Sequence, residues 1–409
     1  MNSASANNHR YSLALLSTLF FMWGFITVLN DILIPHLKGL FALNYTQTML
    51  IQFCFFGAYF ITSIPAGTII SKIGYKRGIV LGLSVTGLGA LLFFPASIFI
   101  SYTFFLTALF VLASGITILQ VAANPFVAVL GPPETASSRL NLTQAINSLG
   151  TTIAPYFGSL LILETQGMHR SPAEEAASVQ GPYVLIALLL GIIAVLIAFS
   201  RLPAISDATM EEYHDTKHFG KKSAWQYKHL IRGALAIFLY VGGEVTIGSF
   251  MVNYLMDLKI DGMVESDAGK YVSFYWGGAM VGRFIGAALL QRIRPHFMLS
   301  FCAIAAISLI LISTNTSGHL AMYSMIAVGL FNSIMFANIF TMSMEGLGKF
   351  TGEGSGILCM AIVGGAIVPL LTGFLADEIG LQAALMITVL CYGYILYFGT
   401  LGYKRDRIE

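Results

Sequence analysis

Charge is what this 409-residue sequence has least of. Asp, Glu, Lys and Arg make up 10% of it, against 56% hydrophobic residues. A water-soluble domain carries about 25% charged residues. This chain cannot cover a water-facing surface, so an integral membrane protein is expected. Its 22 basic and 20 acidic residues leave a formal charge of +2. No basic block or basic–aromatic alternation is present, which argues against a nucleic-acid partner. Cysteine is scarce as well. Cys54, Cys302, Cys359 and Cys391 all fall in apolar runs, none at C-x-x-C spacing, so neither a metal site nor a disulfide framework is indicated. G-x-S-x-G, H-E-x-x-H and the phosphate loop are absent. The glycines of TGEGSG (351–356) lack the lysine and the preceding strand that such a loop needs. An enzyme is therefore not expected, nor any cofactor. The longest polar segment between apolar runs, 201–231, is about thirty residues, too short for a soluble sensor domain.

What the sequence does hold is apolar runs of bilayer length. A transmembrane helix needs about 20 such residues. Twelve segments qualify: 11–37, 48–71, 78–97, 102–128, 136–163, 182–201, 232–257, 268–291, 296–313, 319–346, 354–376 and 382–403. The weaker ten-residue alternation of a β-barrel is missing. The first run is too long for a signal sequence and has no cleavage site after it, so it reads as a retained helix. With the N-terminus inside, seventeen Lys and Arg fall on the cytoplasmic side. Only Lys38, Arg170, Lys259 and Lys270 fall outside. By the positive-inside rule both termini are cytoplasmic. The polar segment then separates an N-terminal six-helix half (1–200) from a C-terminal one (232–409), with 201–231 as a cytoplasmic linker.

The halves echo each other. Gly115, Ala123, Asn124 and Phe126 recur as Gly329, Ala337, Asn338 and Phe340, and Gly150 and Pro155 recur as Gly364 and Pro369. Six coincidences at one offset, 214 positions, make a repeat. The basic loop SKIGYKR after the second span has a counterpart, LQRIRPH, after the eighth. A parallel repeat of two six-helix halves is the architecture of major facilitator transporters, which bind substrate near the midplane and rock their halves around it. Such a protein works in a lipid bilayer, and a monomer is expected.

Ionisable groups inside a span are costly and mark function by default. Asp31 lies in the first span, in LNDILIP, Glu244 in the seventh and Arg283 in the eighth. Glu345 is near the inner end of the tenth. Asp31 has no cation within helical reach on its own span. It can hold a proton, or be held charged by a cation such as Na⁺; packing is its blander alternative. Tyr240, Glu244, Gly248 and Met251 share a helical face, as do Trp276, Met280 and Arg283. Glu244 therefore either serves transport or forms a structural ion pair with Arg283, which can also close the inner end of the bundle. The fifth span opens RLNLTQAINSLGTT. Asn141, Gln144, Ser148 and Thr151 form a polar stripe with Asn147 beside it. Buried in lipid that stripe would be unsatisfied. It faces either a cavity, where amides and hydroxyls suit a polyol, or neighbouring helices. Pro125 frees a backbone carbonyl in the fourth span, and Asn124 beside it faces either substrate or that carbonyl.

Several long blocks carry a resemblance: LNDILIP, IPAGTIISKIGYKRGIVLG, AANPFVAVLGP, RLNLTQAINSLG and GRFIGAALLQRIRPH. Across nearly the whole chain they resemble the fucose permease group of the major facilitator superfamily, whose members carry fucose, glucose/galactose and N-acetylglucosamine. The resemblance implies sugar:cation symport at a bacterial inner membrane. It makes Asp31 the coupling position, with Asn147 and Trp23 at the sugar site. One departure stands out. Fucose permease has a glutamate just before T-A-A-N-P-F, where this chain has Gln120. The seventh span instead supplies Glu244, in GGEVTIGSF, where fucose permease has a neutral amide. That pattern is similar to the glucose/galactose branch, and it leaves both Na⁺ and H⁺ open as the coupling cation.

The expectation is a secondary active transporter that brings in a hexose such as glucose or galactose by alternating access. Asp31 and Glu244 would serve cation coupling, with any Na⁺ bound near Asp31. Asn147, Gln144, Gln120, Trp23, Trp276, Asn124 and Asn30 would hold the sugar. Arg283 and Glu345 would be gating or structural charges. The alternatives are another sugar or an efflux carrier on the same fold.

Overall fold

A computed structural model describes residues 12–27, 37, 40–43, 45–158, 172–200, 202, 221–258, 260 and 265–405. Every regular element among them is helical. In chain order these are α1 (Ser12–Thr27), α2 (Tyr45–Ile73), α3 (Tyr75–Phe99), α4 (Tyr102–Val129), α5 (Ala136–Gly158), α6 (Pro172–Ala177) and α7 (Gln180–Phe199). The second half continues with α8 (Lys228–Asp257), α9 (Glu265–Leu289), α10 (Pro295–Asn315), α11 (Gly318–Asn332), α12 (Met335–Met344), α13 (Thr351–Met360), α14 (Gly364–Ile379), α15 (Leu381–Ala384) and α16 (Ile387–Tyr397).

Within the described residues, each of the twelve predicted spans overlaps helix. Three of them are composite. The tenth runs through α11 and α12, the eleventh joins α13 to α14 through a single 3₁₀ turn at Ala361–Val363, and the twelfth ends in a π-helical turn at Phe398–Gly402. Among the described residues, nine helical spans are long and apolar enough to cross a membrane. α1, α5 and α9 are the other three, and these hold Trp23, Asn147 and Arg283.

The distribution of side chains is the reverse of a soluble protein's. Phe199 is 86% exposed, Leu370 75% and Leu390 74%, while Asn124, Asn141, Asn332 and Asn338 are fully buried. An apolar exterior around a hydrogen-bonding interior suits hydrocarbon as the surrounding solvent.

Contacts group the chain into two compact units. The first takes residues 1–130, 146–218 and 348–360, and the second takes 131–145, 219–347 and 361–409. In the first, α3 packs on α4 and α7, and α2 packs on α4 and α13. Lys76, from the basic loop after the second span, closes the end of α7 by donating to the carbonyls of Ala198 (2.9 Å) and Ser200 (2.8 Å), a favourable place for a cation. In the second unit, α8 packs on α9, α12, α14 and α16, and α10 packs on α11 and α16.

The repeat has a packing counterpart in each unit. A Cβ at Gly150 would strike the Phe21 carbonyl of α1, and a Cβ at Gly364 would strike the Phe238 carbonyl of α8. A glycine thus lets the fifth span press against the first, and its repeat mate lets the eleventh press against the seventh. The segments 131–145 and 348–360 are also repeat mates, because shifting the first by 214 gives 345–359. Each unit therefore contains the opening of the span that follows, in sequence, from the other half's fourth helix.

Candidate functional site

In the first unit a polar cluster forms around Tyr59 of α2, which is 2% exposed. Gln120 of α4 donates its Nε2 to the Tyr59 hydroxyl at 3.0 Å. The Gln120 Oε1 has no partner among the described residues. One turn along α4, Asn124 is fully buried, and neither its Nδ2 nor its Oδ1 meets a partner there.

Pro125 lacks an N–H, so the Val121 carbonyl four residues earlier loses its ladder donor. Ser355 of α13 supplies the substitute, donating its Oγ to the Val121 oxygen at 2.8 Å. The freed carbonyl is thus satisfied by Ser355 and not by Asn124. Asn147 donates its Nδ2 to the Phe20 carbonyl of α1 at 2.8 Å and keeps 9% of its surface exposed.

In the second unit the centre is Glu244 of α8. The Tyr240 hydroxyl donates to Glu244 Oε1 at 2.8 Å, and Arg283 Nη2 of α9 lies 3.8 Å from the same oxygen. The ion pair expected as an alternative is therefore formed. Arg283 is itself anchored, its Nε donating to the Ser333 carbonyl at 3.2 Å. Behind Glu244, the Tyr275 hydroxyl donates to its backbone carbonyl at 3.2 Å and accepts from Asn332 Nδ2 at 2.8 Å. Trp276 stands edge-on to Tyr275, with centroids 5.1 Å apart, and is 42% exposed. Its ring leans over Gly248, where an added Cβ would come within 2.7 Å of it. Trp276 and Glu244 thus meet α8 one turn apart.

The stripe of the fifth span has more than one role. Asn141 takes the interhelical one, donating to Asn338 Oδ1 at 3.2 Å. Ser137 and Ser138, outside the predicted stripe, bond Thr341 Oγ1 and the Ala287 carbonyl, each at 2.5 Å. Gln144 is buried. Glu345 is exposed and ion-paired with Arg405, so it lies apart from Glu244. Asp31 and Asn30 lie outside the described residues. Sequence reasoning missed Tyr59, Tyr275, Asn332 and Ser355. A search confined to ionisable groups and amide stripes passes over tyrosines as aromatic core. The free carbonyl implied by Pro125 was the one signal that called for a partner such as Ser355.

A model described as Major Facilitator Superfamily matches residues 14–361. The chain is 55% identical over 402 residues to a "Glucose/galactose transporter" of Brucella abortus biovar 1 (strain 9-941), covering 98% of this chain and 96% of that one. It is 38% identical over 405 residues to the "L-fucose-proton symporter" of Escherichia coli (strain K12), covering 94% and 91%. Among solved structures, it superposes on a fucose transporter of this superfamily, solved in the outward conformation, with TM-score 0.87 and 36% identity. That match covers 97% of this chain and 99% of the other. These relatives are transporters rather than enzymes. Together with the twelve helical spans and the apolar exterior, the matches establish that the chain belongs to the major facilitator superfamily, as a membrane transporter with that fold.

Proposed function

We propose that this transporter takes up a hexose, glucose or galactose, by cation-coupled symport and alternating access. The observation that carries the reading is the 55% identity, over 98% of the chain, to a protein named as a glucose/galactose transporter. The interior supports it. A buried carboxylate, several amides and a half-exposed tryptophan suit a ligand that is polar at its hydroxyls and apolar at its C–H face.

Asp31 is the coupling residue in this reading, answering to Na⁺ or H⁺, with any bound Na⁺ near it. Asn147, Gln144, Gln120, Trp23, Asn124, Asn30, Trp276 and Glu244 are the residues for sugar. Arg283 and Glu345 are structural or gating charges. The lysine and arginine distribution supports cytoplasmic termini, and the bacterial relatives support an inner-membrane location. A monomer is the working oligomeric state.

A second reading, another sugar such as fucose, is favoured by the 38% identity to a fucose-proton symporter. The deciding experiment is uptake into proteoliposomes of labelled glucose, galactose, fucose and N-acetylglucosamine. Each is offered under an imposed Na⁺ gradient and, separately, an imposed H⁺ gradient. Accumulation of glucose or galactose under either gradient supports the proposal. Accumulation of fucose or N-acetylglucosamine alone moves the reading to that sugar, and uptake of none of the four refutes it.

A further inference from the structure

The geometry around Glu244 points to a division of labour between its two carboxylate oxygens. Tyr240 and Arg283 both converge on Oε1, at 2.8 and 3.8 Å. Among the described residues no partner reaches Oε2, and the side chain keeps 11% of its surface exposed. Oε2 is thus an open acceptor among the described residues, on the residue one helical turn before Gly248, over which the Trp276 ring leans.

The charged partner does not swing freely. Arg283 is tied to the Ser333 carbonyl, so its guanidinium is held near Glu244. Tyr240 is 1% exposed and fills its place on the same helix one turn before Glu244. Among the described residues, the other titratable groups facing Glu244 are Tyr275 from α9 and Tyr392 from α16. Both are phenols, which stay neutral at physiological pH. Among the described residues Arg283 is therefore the charged group set against Glu244, 3.8 Å from Oε1.

We propose that Tyr240 and Arg283 are positioning residues that keep Glu244 a fixed anion at neutral pH and aim Oε2 at a sugar hydroxyl. Glu244 then selects substrate and does not carry the coupling proton or cation. This rests on the hexose reading for its ligand but not for its charge state, so the test has two arms.

The first arm needs no sugar. Infrared spectra of the full-length protein in lipid are compared for wild type, Glu244→Gln and Arg283→Gln at neutral pH. The expected result is no protonated-carboxyl band in wild type that Glu244→Gln removes, and a new band in Arg283→Gln. A wild-type band that disappears in Glu244→Gln overturns the proposal.

The second arm is galactose counterflow and gradient-driven accumulation in proteoliposomes. Tyr240→Phe should raise KM about tenfold, the loss expected of one charge-assisted hydrogen bond, with an unchanged pH profile. Arg283→Gln should give a KM that climbs as pH falls. Arg283→Lys, which keeps the charge and guards against simple misfolding, should retain the wild-type profile. Glu244→Gln should raise KM and still accumulate galactose against its gradient. Loss of accumulation in Glu244→Gln with counterflow intact would make Glu244 a coupling residue and overturn the assignment. Wild-type protein that passes the infrared arm but moves neither galactose nor, offered in the same assay, glucose would leave the fixed anion standing and refute the hexose reading.

Discussion

The bond from Ser355 to the Val121 carbonyl exists because Pro125 removed the helical donor, and that causal link can be measured. Both groups are buried, so Ser355→Ala leaves an acceptor with neither a helical partner nor water. The cost of an orphaned buried acceptor is about 1–3 kcal/mol. That range changes the folded-to-unfolded ratio by roughly 5- to 150-fold, well within reach of denaturant titration in mixed micelles. Pro125→Ala gives the Val121 oxygen its N–H donor back. In that background Ser355→Ala should cost about 0.5 kcal/mol or less, since the serine is then redundant for that carbonyl. The double-mutant cycle should therefore show a coupling energy of about 0.5–2.5 kcal/mol, within the range that contacting residues show. Two substitutions that simply add would refute the reasoning. Val121 would then be satisfied in some other way, and Ser355 would be a packing residue.

Four further outcomes are expected, the first from the coupling role proposed for Asp31 and the rest from the geometry. Asp31→Asn should abolish concentrative sugar uptake in proteoliposomes while leaving counterflow; undiminished accumulation would remove Asp31 from coupling. Gly150→Val and Gly364→Val should each destabilise by about 1–3 kcal/mol or more through overpacking against a backbone carbonyl, whereas Gly191→Val, with open space at its Cβ, should melt like wild type in detergent. Tyr59→Phe removes the acceptor of Gln120 Nε2 and should cost about 1–3 kcal/mol, read by the same unfolding titration. Gly248→Ala should push the Trp276 ring aside and raise the sugar KM with little change in stability, because that ring is partly exposed and free to shift; an unchanged KM would take Trp276 out of the sugar site.

Span positions were legible because hydrocarbon imposes a simple rule, about 20 apolar residues per crossing, and the polar loops between crossings are short. The rule is weakest where the sequence is most informative. α5 and α9 do not stand among the nine plainly apolar spans, because residues such as Asn141, Gln144, Asn147 and Arg283 dilute them. Those same residues named the candidate site. The interruptions within spans were not legible. The tenth breaks between Asn332 and Met335, and the eleventh tightens at Ala361–Val363, in stretches without proline.

The repeat shows which level of the structure the sequence encodes most directly. Gly150 and Gly364 are matched in sequence and matched in use, each admitting a carbonyl of a neighbouring helix, because backbone approach depends on one residue alone. Asn124 and Asn338 are matched in sequence but not in use. Asn338 accepts from Asn141, whereas Asn124 has no partner among the described residues. The reason lies in the partner. The repeat mate of Asn141 is Ser355, too short to serve as a second amide and already committed to the carbonyl that Pro125 frees. Proline is found at position 125, but its mate is Ile339, so only one half needs the serine there. A polar side chain's role depends on two helices at once, and a repeat read along one chain exposes only half of that dependence. Asn124 is buried without a partner among the described residues, while its mate accepts from Asn141. That makes it a sharper candidate for substrate-linked hydrogen bonding than its symmetry suggests.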